Sequence, residues 1–111
     1  MPGIDTGSLD RRVAILRGKV EDDGLSKIIG DPEEIARRWA KKTDISDGER
    51  VAAAAQGESV TSRFLMRWDK LTTTIGGDDR LLCEGVTYQV VGMKEAIGRG
   101  VGIEITAKAL R

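Results

Sequence analysis

The apolar positions of this chain alternate with polar ones in several stretches, and the first stretch runs from Leu9 to Val20. There Val13 and Ile15 fall on one face and Ala14 and Leu16 on the other, the two-residue period of a β-strand. Because the second face is half apolar, both sides of this strand are expected to be covered. Glu21-Asp22-Asp23-Gly24 breaks the alternation. The polar stretch that follows, carrying Leu25, Ile28 and Ile29 as far as Gly30, reads as a long loop with a few apolar side chains to offer a neighbour.

Two signals then conflict. Asp31-Pro32-Glu33-Glu34 has the grammar of a helix start, with Asp as N-cap, Pro at the first position and acids in the first turn. Arg37, Trp39, Lys41, Thr43 and Ile45, however, alternate with Arg38, Ala40, Lys42 and Asp44 as in a partly exposed strand. The expectation is one helical turn within 31–38, followed by a strand. Ser46 and Glu49 stand at capping-box spacing before Arg50-Val51-Ala52-Ala53-Ala54-Ala55-Gln56, which predicts a short helix closed by Gly57.

From Glu58 to Asp69, Val60, Phe64, Met66 and Trp68 share one face, which predicts a strand that would span roughly 40 Å and project past its own core. Thr72 to Asp79 reads as a flexible loop. Arg80-Leu81-Leu82-Cys83 and Val86 to Gly92 form a hairpin about Glu84-Gly85, and Val101 to Ala109 a last strand after the turn at Gly98-Arg99-Gly100. The sum is a mainly β chain: a small antiparallel barrel or sandwich of five to six strands, one short helix and a long loop after the first strand.

A length of 111 residues implies one domain, 1–111, with residues 1–8 as an extended N-terminal arm. Aromatic residues are 4% of the chain, so the core must be aliphatic. Eighteen basic residues balance eighteen acidic ones, which argues against a general nucleic-acid binder. The lone Cys83, beside Leu81 and Leu82, reads as a small buried hydrophobe in a reducing compartment. No apolar run approaches the ~20 residues of a membrane span, and the start Met1-Pro2-Gly3 lacks both a secretory signal and a lipidation site. Synthesis in the cytoplasm is the expectation.

Candidate chemistry is sparse. There is no histidine, which removes the commonest general base and the triads that depend on it. The pairs Asp22-Asp23 and Asp78-Asp79 lie next to glycine and read as solvated turns rather than cation ligands. Gly98-Arg99-Gly100-Val101-Gly102 does not lead from a strand into a helix, so it reads as a turn and not a phosphate loop. No catalytic residue, cofactor or metal site is expected. Trp68 belongs to an apolar face and is assigned to the core. Trp39, flanked by Arg37, Arg38, Lys41 and Lys42, suits a subunit boundary as well as a core.

Taken in order, four segments resemble the head closure proteins of tailed phages, also called head-tail adaptor or joining proteins. They are Gly7-Ser8-Leu9-Asp10-Arg11-Arg12-Val13-Ala14-Ile15-Leu16, then Trp39-Ala40-Lys41-Lys42 leading to Ser46-Asp47-Gly48-Glu49-Arg50, then Ser59 to Trp68, and finally Arg80 to Gly92. The sequence departs from the usual pattern at Ile75-Gly76-Gly77-Asp78-Asp79 and at Asp31-Pro32-Glu33-Glu34. The resemblance implies a non-enzymatic subunit of a ring, commonly dodecameric, at the neck of a phage or a gene transfer agent. Such a ring acts as a stopper for packaged DNA, meets the portal or its adaptor ring on the head side and docks the tail terminator or tail tube on the other. Under that implication Asp22, Leu25, Ile28, Ile29, Trp39, Arg63 and Arg67 are the candidate partner or subunit contacts, and Lys41 and Lys42 the candidate DNA-facing residues. A rival expectation is a small barrel that binds single-stranded nucleic acid, motivated by the scattered arginines and the two tryptophans.

Overall fold

The first strand forms where the alternation places it and then runs on. The computed structural model describes residues 4, 6–22, 24 and 27–110. After a 3-10 turn at Thr6–Ser8, strand β1 covers Arg11–Asp22 and strand β2 covers Lys27–Asp44. The two pair antiparallel from Arg11↔Ala40 out to Asp22↔Lys27. This corrects the long loop expected after the first strand, because both flanks of the connection are paired backbone. It corrects the helical turn within 31–38 as well. A helix-start signal is worth only about 1 kcal/mol, whereas pairing with β1 satisfies the backbone groups of the whole segment at once. Pro32 is tolerated because it sits opposite Gly18, at a register irregularity where no third strand needs its missing N–H.

Helix α1, Asp47–Ala55, begins as its sequence predicts: the Ser46 hydroxyl accepts from the Glu49 N–H at 3.3 Å. Strand β3, Ser62–Arg67, is half the length expected. Its early end has a local cause. The Asp69 carboxylate accepts from the N–H groups of Leu71 and Thr72, at 2.8 and 2.9 Å, and the Thr72 hydroxyl donates to the Arg67 carbonyl at 2.9 Å. These bonds fold the chain into a turn immediately after β3. The Trp68 N–H still donates to the Val101 carbonyl at 3.1 Å, but its side chain is 38% exposed, so it is not the core residue expected.

Strands β4 (Arg80–Cys83), β5 (Val86–Ala96) and β6 (Gly102–Leu110) complete the sheet. The β4–β5 hairpin forms as expected about Glu84 and Gly85, whose φ values of 51° and 79° match a two-residue turn with both residues left-handed. The described strands close into a six-stranded antiparallel barrel in the order β1-β2-β3-β6-β5-β4, so the last strand lies between the third and the fifth. Inside are Val13, Ile15, Ala40, Phe64, Met66, Leu81, Tyr88, Val90, Ile103, Ile105 and Ala107. Phe64 and Tyr88 meet edge to face at 5.0 Å. Cys83 is buried, as expected. Gly102 sits in a tight place: a Cβ there would lie 3.0 Å from the Ile4 Cδ1 and 3.2 Å from the Leu65 Cδ1, so those side chains would have to give by a few tenths of an ångström.

Candidate interaction surface

Beyond Arg17, β1 pairs with β2 alone, and β2 meets β3 only from Ala40 onward. Gly18–Asp22 and Lys27–Pro32 are therefore a two-stranded ribbon that continues past the barrel. Asp22, Ile28 and Ile29 lie in this ribbon by their backbones. Leu25 falls outside the described residues, as do the side-chain contacts of the other three.

The base of the ribbon is pinned to the barrel by a part-buried ion pair. Arg17 donates from Nε and Nη2 to the two carboxylate oxygens of Asp79, at 2.9 and 3.0 Å, and from Nη2 also to the Thr74 hydroxyl. Asp79 accepts from the Gly76 N–H at 3.0 Å, and Gln89 donates to the carbonyls of Gly77 and Asp79. With Ile75 and Asp79 both buried, the segment Thr72 to Asp79 is an ordered clasp and not the flexible loop expected. Asp79 is likewise not a solvated turn residue. Sequence reasoning missed this pair because its members are 62 residues apart and neither position carries a local signal.

On the outer face of β2, Trp39 is 51% exposed, and the Arg12 guanidinium lies 5.2 Å from its ring centre. Arg37 and Lys41 are exposed on the same side, two residues either way along the strand. Arg67, also exposed, is the residue after Met66, the partner of Ala40. The structure thus gathers Arg12, Arg37, Trp39, Lys41 and Arg67 on one basic face about an aromatic ring.

Lys42, by contrast, points to the opposite side of β2, toward the barrel mouth. Its ammonium is 3.5 Å from Asp44. Burial would lower its pKa, but Tyr88 and Asp44 outweigh this and hold it above the ordinary value. Lys41 and Lys42 are therefore not brought together. Arg63 is also engaged within the chain: it donates to Glu49 on α1 at 2.6 Å and lies 3.5 Å from Glu104 on β6. That pairing raises the Arg63 pKa and lowers that of Glu49. It ties down a helix that buries none of its own residues.

Among the described residues, no group of three or more Cys, Asp or Glu side chains stands close enough to hold a metal ion. No helix among them is long and apolar enough to cross a membrane.

Comparison with known proteins adds three findings. A family model described as phage head completion protein matches residues 4–110. Among curated proteins nothing matches. The solution structure of protein SF1141 from Shigella flexneri 2a superposes with a TM-score of 0.67 at 19% identity, covering 96% of each chain, a likeness that shows a shared fold.

Proposed function

This chain belongs to the phage head completion proteins, and from that premise we propose that it is a ring-forming stopper and connector at the head-tail joint of a tailed phage or a gene transfer agent. The membership itself carries a structural role in closing the head. The observation that favours a ring subunit is the rigid barrel with a two-stranded ribbon continuing past it, pinned by Arg17 and Asp79. A ribbon with two free edges and no third strand is suited to reach a neighbouring subunit or the channel. In this reading the ribbon, with Asp22, Leu25, Ile28 and Ile29, narrows the channel over packaged DNA, and Trp39, Arg63 and Arg67 lie at or near subunit contacts. Lys41 and Lys42 are the DNA-facing candidates.

The partners are further copies of the chain in a dodecameric ring, the portal or its adaptor on the head side, and the tail terminator or tail tube on the other. The chain is made in the bacterial host cytoplasm and works at the virion neck, with no cofactor and no catalytic step. Binding of single-stranded nucleic acid by a lone barrel is less well supported, since backbone tracking needs an excess of positive charge and eighteen acidic residues here balance eighteen basic ones.

Electron microscopy of particles made with the ribbon shortened to a tight turn between Gly18 and Pro32 tests the reading. The expected result is density for the protein at the neck, with heads that lose DNA or lack tails. Wild-type density at the tail tip, or normal DNA retention and tail joining without the ribbon, would overturn it.

A further inference from the structure

Charge is sorted along β2. Toward the ribbon it carries Asp31, within the ribbon, and Glu33 and Glu34, at its base, all exposed, and its barrel half carries Arg37 and Lys41 beside Trp39, with Arg12 across the ladder. Glu34 and Arg37 satisfy each other at 2.8 Å, at the join between the halves. Asp31, Glu33 and Lys41 have no ion pair among the described residues, and Arg12 has only its contact with the Trp39 ring. Along one strand, Glu33 and Lys41 are about 26 Å apart, and Asp31 and Lys41 about 33 Å. At physiological salt this is several screening lengths. They stand toward opposite ends of one paired strand, so they do not neutralise each other within a copy.

A chain of zero formal net charge thus presents an acidic stretch, with Arg80 and Lys108 lining the hollow beside Asp31, and a basic surface centred on a half-exposed tryptophan. Such a residue among cations is the composition of an interface anchor with a charged rim. The acidic half is the right sign and lies on the element that reaches outward. The register shift between Ile15 and Leu16 leaves Ile35 as an extra residue and bends the strand between the halves. The two charged surfaces therefore do not lie in one plane for a single flat partner.

We propose that the acidic ribbon base of one copy, Asp31 and Glu33, docks on the Arg12–Trp39–Lys41 face of the next copy, which leaves Lys42 as the DNA-facing lysine of the two. Each copy gives one surface to each of two neighbours, a head-to-tail contact that repeats until the assembly closes. This deepens the reading of the chain as a ring subunit and rests on it.

Charge exchange tests the contact. The full chain is supplied in trans to particles lacking it, in four forms: wild type, D31K with E33K, R12E with K41E, and all four substitutions together. Circular dichroism melting checks that each form keeps its barrel. Each half-exchanged form should lower the yield of head-tail joined particles about tenfold, and the fully exchanged form should restore most of it. Full activity of either half-exchanged form, or no rescue by the full exchange, would overturn the contact. So would loss confined to the form with R12E and K41E, which would assign the basic face to DNA instead. If wild-type protein is itself absent from the neck, the ring reading falls and the contact with it. If wild-type protein is at the neck and rescue fails, only the contact falls.

Discussion

Burial alone would push the Asp69 carboxyl up, yet the Thr72 N–H, the Arg38 guanidinium at 2.9 Å and the Leu71 N–H outweigh it and bring the group below its ordinary value of 3.8. The folded protein therefore favours the ionised form. That contribution is complete above pH 3.8 and is lost as pH falls through the lower folded value. Thermal melts across the acid range should show the wild type losing stability more steeply below about pH 4 than D69N does. An equal acid slope in both would count against the linkage. Cys83 follows the opposite rule. Burial raises its pKa, leaving a neutral thiol packed in the barrel wall, the inert state that its apolar neighbours in sequence implied.

At the scale of elements, the clasp from Thr72 to Asp79 stands on one carboxylate, since the Asp79 side chain is 5% exposed and answers both Arg17 and the Gly76 N–H. Replacing it by alanine should cost about 2–3 kcal/mol, read as a lower denaturant midpoint, and should expose the segment to proteolysis before the barrel unfolds. Resistance of D79A to cleavage at 72–79 would show that Ile75 holds the segment unaided. The elements also differ in how far their sequence disclosed them. The Glu84-Gly85 turn, β6 and α1 were legible because their signals are local: a left-handed turn pair, a strict alternation and a serine cap. The ribbon was not. Asp31-Pro32-Glu33-Glu34 carries helix-start chemistry, and only pairing with residues upstream reveals it as strand. The end of β3 was hidden too, because Trp68 continues the apolar alternation while Asp69 and Thr72 end the ladder. Of the surface, Trp39 and its flanking cations could be picked out, but Arg12 joins them only through the β1–β2 register.

For the whole molecule, a closed sheet has one interior and no spare layer behind it. Phe64 and Tyr88 span that interior edge to face, so F64A leaves a cavity the ring cannot collapse around, at a cost of about 3–5 kcal/mol. A domain of this size has 5–15 kcal/mol in hand at most by the usual range. F64A should therefore melt at a much lower temperature, in a single transition seen alike by near-ultraviolet and far-ultraviolet circular dichroism. Two separated transitions would mean that the ribbon or α1 is an independent unit. The fold likeness to the Shigella flexneri 2a structure at 19% identity shows how little of the sequence this enclosure requires.

The position of β6 also decides how the barrel closes. Among the described strands β6 follows all the others in the chain, yet its place is the gap between β3 and β5. Without it Phe64 and Met66 have no lid and Val90 has no mate on its β6 side. Until β6 is seated between its two neighbours, the apolar interior therefore stays open along that seam.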